Sequence, residues 1–127
     1  MRFKYGNKKT KVNGETFDSK KELKDWCQLQ MLEKSGEICC LERQKEFVLI
    51  PTIRTNVETL RKTVYRADFF YFDTRSERWT IQDSKGFPTP EYKLKKKLML
   101  WLYPNYVFVE SGNKYKVYDE VKCGKKD

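Results

Sequence analysis

The segment TVYRADFFYFDTRSERWTIQDSK, residues 63–85, decides how the rest of the chain is read. Thr63 to Phe72 is rich in β-branched and aromatic residues, Asp73-Thr74-Arg75-Ser76 supplies a turn, and residues 78–85 alternate again, so the segment predicts an antiparallel hairpin. Strand side chains repeat with period two. That puts Trp79, Ile81, Asp83 and Lys85 on one face and Thr80, Gln82 and Ser84 on the other. On the first strand Val64, Arg66, Asp68, Phe70 and Phe72 share a face, opposite Tyr65, Ala67, Phe69 and Tyr71. Charges thus fall where the pattern predicts core, and local rules broken in this way tend to mark functional sites. Asp68 and Asp83 are almost equidistant from the turn, so the hairpin brings them into rough register. Two converging carboxylates repel each other unless a divalent cation lies between them, and hard oxygen donors with open water positions suit Mg²⁺ or Mn²⁺. The plain alternative is an Asp83–Lys85 ion pair at a strand end, worth roughly 0–1 kcal/mol if exposed.

Outward from the hairpin, Ser19-Lys20-Lys21-Glu22 has the spacing of a capping box and opens a helix that Gly36 closes. Leu23, Trp26, Cys27, Gln30 and Met31 recur at three- and four-residue intervals and predict its packing stripe. Glu22 lies about 40° from Trp26 around the helix. It can therefore bond the backbone of residue 19, face a site at the edge of the buried stripe, or do both. Residues 37–50 read as extended and end at Pro51, and residues 52–61 as a loop or hairpin tip. Gly86 to Pro90 break the pattern before a second helix, about 91–103, stopped ahead of Pro104. Leu94, Leu98, Trp101 and Leu102 predict its packing stripe, which leaves Lys93, Lys96 and Lys97 outward. Two short strands follow, 106–110 and 114–118. The order αβββαββ describes a single mixed α/β (α+β) domain over residues 1–127, built around one central sheet. Residues 1–16 read as a basic N-terminal arm and 120–127 as a flexible C-terminal tail.

The bulk properties narrow the partners. Among 127 residues, 27 Lys+Arg against 18 Asp+Glu give a formal charge of +9, an excess that suits a polyanion because neutralised phosphates release counterions. An aromatic content of 15% argues against disorder. No apolar run approaches the roughly 20 residues that span a bilayer, and the polar start lacks the apolar core of a secretory signal. We expect a cytoplasmic protein without a membrane partner. Cysteines stand at 27, 39, 40 and 123 with no CxxC pair, so no zinc site is expected, and the thiols read as reduced and mostly buried. Adjacent Cys39 and Cys40 would point to opposite faces of a strand. The chain has no histidine, so imidazole chemistry is excluded and carboxylates and lysines must carry any catalysis.

Four motifs occur in order: Phe17-Asp18-Ser19-Lys20-Lys21-Glu22, Ala67-Asp68-Phe69, Asp83-Ser84-Lys85-Gly86, and Tyr92-Lys93-Leu94-Lys95-Lys96-Lys97. Together, over roughly residues 5–110, they resemble the PD-(D/E)XK nuclease superfamily, and within it small phage-encoded endonucleases. Ala67 stands where the superfamily's name has proline. The resemblance implies a restriction-endonuclease-like αβββαβ core, with a central mixed sheet flanked by helices. It implies that Glu22, Asp68, Asp83 and Lys85 are catalytic. Asp68, Asp83 and the backbone carbonyl of Ser84 would hold Mg²⁺ or Mn²⁺, Glu22 would assist through water or a second ion, and Lys85 would position the attacking water and offset charge on the phosphorane. Tyr92, Lys93, Lys96, Lys97, Lys20 and Lys21 would contact DNA, with Lys8, Lys9, Lys11, Arg61 and Lys62 extending that surface; Gln44 reads either as lining the site from an adjacent strand or as a plain edge-strand polar residue. The implied activity is a metal-dependent DNA endonuclease leaving 5′-phosphate and 3′-hydroxyl ends. With no room for a sequence-reading domain, branched DNA is the preferred substrate, as for Holliday-junction resolvases, and symmetric cutting would require a homodimer. The competing expectations are a catalytically silent nucleic-acid-binding phage protein, and a restriction- or transposase-type subunit active only with a partner.

Overall fold

The computed structural model describes residues 9–12, 14–85 and 88–124. Its elements are β1 (Thr10–Val12), β2 (Glu15–Phe17), α1 (Lys20–Lys34), β3 (Ile38–Ile50), β4 (Ile53–Arg54), β5 (Thr59–Leu60), β6 (Thr63–Asp73), β7 (Arg78–Asp83), α2 (Pro90–Leu102), β8 (Val107–Glu110) and β9 (Lys116–Tyr118). Five strands form the central sheet in the order β3-β6-β7-β8-β9. All neighbours are antiparallel except β7 and β8, whose parallel pairing requires the crossover that α2 supplies. The mixed sheet with a helix on each face is the expected α/β core.

Two short hairpins extend it. Part of the expected basic arm is the β1–β2 hairpin, which turns at Gly14 with φ +81°, while Lys8 lies outside the described residues. The tip at residues 52–61 is the β4–β5 hairpin, where the Thr55 hydroxyl accepts from the backbone N–H of Val57 and of Glu58. The central β6–β7 turn is tied by Asp73, whose carboxylate accepts from the backbone N–H of Arg75 and of Ser76. Residues 120–124 carry no regular structure. Among the described residues no helix is long and apolar enough to cross a membrane.

The helix faces differ from expectation. In α1 the buried side chains are Glu22, Asp25 and Leu29, whereas Cys27, Gln30 and Met31 face outward. In α2 the buried pair is Tyr92 and Met99, while Leu94, Trp101 and Leu102 are exposed. The reason is the same in both. Each helix turns a polar group needed at the sheet end inward, and the apolar stripe rotates away from the register its own composition favours. All four cysteines are free, but Cys27, Cys40 and Cys123 are exposed where burial was expected. Cys40 has φ +60° at a register shift in β3, so its sulfur lies 3.5 Å from that of Cys39 instead of on the opposite face.

Under α1, Leu29, Ile38, Phe69 and Tyr71 form one core cluster, with Trp26, Leu32 and Leu41 packed against it. Phe69 is fully buried and stacks on Trp26, with ring centroids 6.0 Å apart. Under α2, Phe47, Leu49, Tyr65, Ala67, Phe70, Ile81, Met99 and Phe108 form the other cluster. Phe69→Ala should lower the unfolding free energy by about 3–5 kcal/mol, whereas Trp101→Ala should change it by no more than about 0.5 kcal/mol. Urea denaturation of the two variants beside the parent checks this, and equal losses would place Trp101 in the core after all.

Candidate functional site

The site lies where β6 and β7 end. Their ladder pairs Phe69 with Gln82, and one further step in that register sets Asp68 opposite Asp83, as the hairpin reading required. Asp83 is fully buried and Asp68 nearly so. The regular alternation expected for β6, however, does not persist through Asp68. Tyr65 and Ala67 pack beneath α2, yet Phe69 and Tyr71 pack beneath α1. The exchange of faces occurs opposite Gln44, whose φ of +55° is a conformation side-chain-bearing residues rarely adopt. Asp68 therefore sits at a crossing between the faces, where Glu22 of α1 reaches it. β7 keeps its alternation but stops at Asp83, two residues earlier than the sequence pattern indicates. Ser84 leaves the ladder because its backbone N–H donates to Asp68 Oδ2 at 2.8 Å.

Each carboxylate of the site is held by protein donors. Asp83 Oδ2 accepts from the Tyr65 hydroxyl at 2.7 Å, and Oδ1 from the backbone N–H of Lys85 at 3.0 Å. The Lys85 ammonium stands 3.8 Å from Asp83 Oδ2 with its side chain half exposed, which lets it reach outward while remaining tied to the buried acid. Glu22 is the third position of the capping box, and its backbone N–H donates to the Ser19 hydroxyl. Its own carboxylate returns to the backbone N–H of Asp18, one residue before the expected partner. The other oxygen accepts from the Gln44 side chain at 3.1 Å. Glu22 thus caps the helix and faces the site together, and Gln44 lines it. Arg43, which the sequence pattern did not single out, lies 3.8 Å from Glu22 and over the Phe17 ring at 3.9 Å.

Burial, aided by the charge of Glu22 and a side-chain hydrogen bond with it, pushes the Asp68 carboxyl up to about 6 against the opposing hydrogen bond from Ser84 and the charge of Lys85. Asp83 is also pushed up to about 6, first by burial and then by Asp68, with Lys85 and Tyr65 pulling the other way. Two acids competing for one proton are what a divalent cation would relieve, so the donor chemistry suits a hard metal ion. Among the described residues, though, no group of three or more His, Cys, Asp or Glu side chains is disposed to hold one. A cation here would rest on Asp68 and Asp83, completed by main-chain oxygen such as the Ser84 carbonyl and by water.

Two further acids belong to the surroundings and escaped the sequence reading. Asp25 is almost fully buried and accepts from the hydroxyls of Ser84 at 2.8 Å and Ser111 at 2.6 Å, with Lys21 paired to it at 2.8 Å. Its spacing from Glu22 and Leu29, three and four residues, was the available signal. Glu110 stands beside Asp83 in the parallel register. Burial would raise its pKa, but hydrogen bonds from Tyr92, Tyr118 and Lys96 outweigh that and lower it.

Those bonds relocate part of the expected DNA-contacting set. Tyr92 is buried and donates its hydroxyl to Glu110 at 2.7 Å. Lys96 also turns inward, 3.2 Å from the same carboxylate. Lys96 therefore does not face outward as the expected α2 stripe required, because the face that packs is the one carrying Tyr92 and Met99. Lys93, Lys97 and Lys20 are exposed, and so are Lys9, Lys11, Arg61 and Lys62.

A family model described as "Protein of unknown function (DUF1064)" matches residues 2–119. No curated protein and no solved structure matches the chain.

The raised carboxyls give a pH dependence with a definite sign. A folded pKa near 6 against an ordinary value near 4 means that the native state holds more protons, so these groups cost stability as pH rises from about 4 through 6. Asp83→Asn should therefore raise stability at pH 7.5 without metal, by on the order of 2–3 kcal/mol at most, seen as a higher melting temperature, with a smaller gain at pH 5. Mn²⁺ should stabilise the parent and not this variant. Thermal melts at both pH values, with and without Mn²⁺, check it, and a variant less stable than the parent at pH 7.5 would contradict it.

Proposed function

We propose that this chain, which belongs to the DUF1064 family of proteins of unknown function, is a metal-dependent DNA endonuclease. The observation that carries the reading is the pair Asp68 and Asp83, two buried carboxylates on adjacent strands, with the Lys85 ammonium 3.8 Å from one of them. Buried acids so close together are unfavourable unless a cation and an anionic substrate complete them.

In this reading Asp68, Asp83 and the Ser84 carbonyl would hold Mg²⁺ or Mn²⁺. Such an ion acidifies water and neutralises charge on a phosphoryl group. The Tyr65 hydroxyl and the Lys85 backbone fix the Asp83 carboxylate, and the Ser84 backbone N–H fixes Asp68, so both acids meet the substrate already oriented. Lys85 reaches the phosphate from its half-exposed position and offsets the charge that builds on its oxygens. Glu22 orients water from the α1 side, itself held by Gln44. Water adds to phosphorus, the bond to the 3′-oxygen breaks, and the leaving oxygen takes up a proton, giving 5′-phosphate and 3′-hydroxyl ends. The net charge of +9 and the exposed Lys93, Lys97 and Lys20 would draw in the DNA backbone. Branched DNA is the proposed substrate. It carries with it a homodimer, able to cut two strands symmetrically, and a cytoplasmic location.

One observation favours a second reading. The acids already receive protein donors, and no three-ligand metal group occurs among the described residues, which suits a DNA-binding protein that keeps the scaffold without the chemistry. A four-way junction, a flap, linear duplex and single strands in Mg²⁺ and in Mn²⁺ separate the two. We expect cleavage of the junction by the parent. Asp83→Ala and Lys85→Ala should lose at least about 100-fold in rate, a scale typical of removing one such electrostatic group, while still binding DNA. Binding by the parent with no cleavage of any substrate would favour the silent scaffold, and cleavage undiminished in Asp83→Ala would remove this site from the chemistry.

A further inference from the structure

One row of residues runs across the end of the sheet. Asp83 on β7 stands beside Glu110 on β8, and Glu110 opposite Lys116 on β9. Above this row opens a cleft of about 250 Å³, lined by Lys85, Tyr92, Glu110, Asn113, Lys114 and Lys116. It lies beside the acid pair, not over it, and Lys85 belongs to both.

The charge in the cleft is not balanced. Glu110 is already engaged by Lys96 at 3.2 Å and by the Tyr92 and Tyr118 hydroxyls at 2.7 and 2.9 Å, so its negative charge is satisfied within the wall. Lys114 and Lys116 are exposed and have no ion-pair partner among the described residues. The Lys85 ammonium stands 5.7 Å from the centre of the Tyr92 ring, at the cleft's inner end. Three lysines therefore line a hollow whose one acid is neutralised from behind, an arrangement suited to phosphate oxygens.

We propose that this cleft is a phosphodiester subsite, in which Lys114 and Lys116 hold the DNA backbone to one side of the bond cut at Asp68 and Asp83. The assignment rests on the reading of DNA as substrate and gives the direction in which one strand leaves the site. From β7 to β9 is two strand spacings, roughly 10 Å, so a phosphate held there is a near neighbour of the cleaved one along the same strand. A phosphate contact of this kind positions DNA without reading its sequence.

The test measures binding, not cleavage. Fluorescence anisotropy of a labelled duplex and of a labelled single strand, in EDTA and over a range of salt, compares the parent with Lys114→Ala/Lys116→Ala. Lys34→Ala, at another exposed lysine at the far end of α1, controls for loss of charge as such. Removing one lysine–phosphate pairing should lower the slope of log K against log[salt] by about 0.9. The double variant should therefore fall by about 1 to 2, with affinity weakened uniformly across sequences, and Lys34→Ala should keep the parent slope. An unchanged slope in the double variant overturns the subsite even if the parent cleaves DNA, as does a parent that binds no DNA. Saturation of the cleft by inorganic phosphate without a slope difference on DNA also overturns it, leaving a site for small phosphates. A slope difference supports the subsite whether or not the parent cleaves, so the subsite and the nuclease reading fail separately.

Discussion

Two carboxylates face each other across β6 and β7 inside the sheet, and much of the surrounding structure is arranged to make that tolerable. Burial raises both acids to about 6, which is the mark of groups whose charge is under-compensated. The neighbourhood answers with donors instead of counter-ions. A tyrosine hydroxyl and two backbone N–H groups converge on the two carboxylates, and β7 gives up its last ladder positions so that Ser84 can serve. The Lys85 ammonium is held at 3.8 Å and half in solvent. The result is a polar pocket that costs stability and keeps an appetite for positive charge.

The same constraint shapes α1. A helix packing on a sheet ordinarily buries an apolar stripe, yet this one buries Glu22 and Asp25 ahead of Leu29. Docking then depends on the C-terminal half of the contact, where Trp26 stacks on Phe69 and Leu29 meets Ile38 and Tyr71. The N-terminal half is joined by hydrogen bonds. Asp25 reaches Ser84 and Ser111, and Glu22 reaches Gln44. Since the Ser84 backbone in turn holds Asp68, the helix is coupled through one serine to the acid pair. A displaced helix would release Ser84 and with it the orientation of Asp68.

Much of this architecture was legible in residues 63–85. Alternation and the Asp73 turn gave the hairpin, the hairpin gave the register, and the register placed Asp68 opposite Asp83. Ser19 and Glu22 gave the start of α1, though not the bond from the Asp18 backbone. The helix faces were misread for an identifiable reason. Apolar periodicity marks a buried face only when the buried face is apolar, and here Tyr92, Lys96, Glu22 and Asp25 occupy inward positions while Leu94 and Trp101 do not. The regular alternation assigned to β6 failed at Asp68, because the face exchange depends on a left-handed residue, Gln44, in a different strand.

The sequence by itself determined which charges would be enclosed and in which hairpin, because strand period and turn position are local properties of the chain. Only the tertiary structure decided how those charges are satisfied. Ser84 bound to Asp25 across 59 positions depends on α1 docking at the end of β7, and Tyr65 turned toward Asp83 on β6 lying beside β7. Ser111 bound to Asp25 across 86 positions and Glu110 beside Asp83 depend on β8 being brought alongside β7 by the α2 crossover. Partners so far apart along the chain leave no periodic trace, since their distance is set by packing between elements and not by the geometry within any one of them.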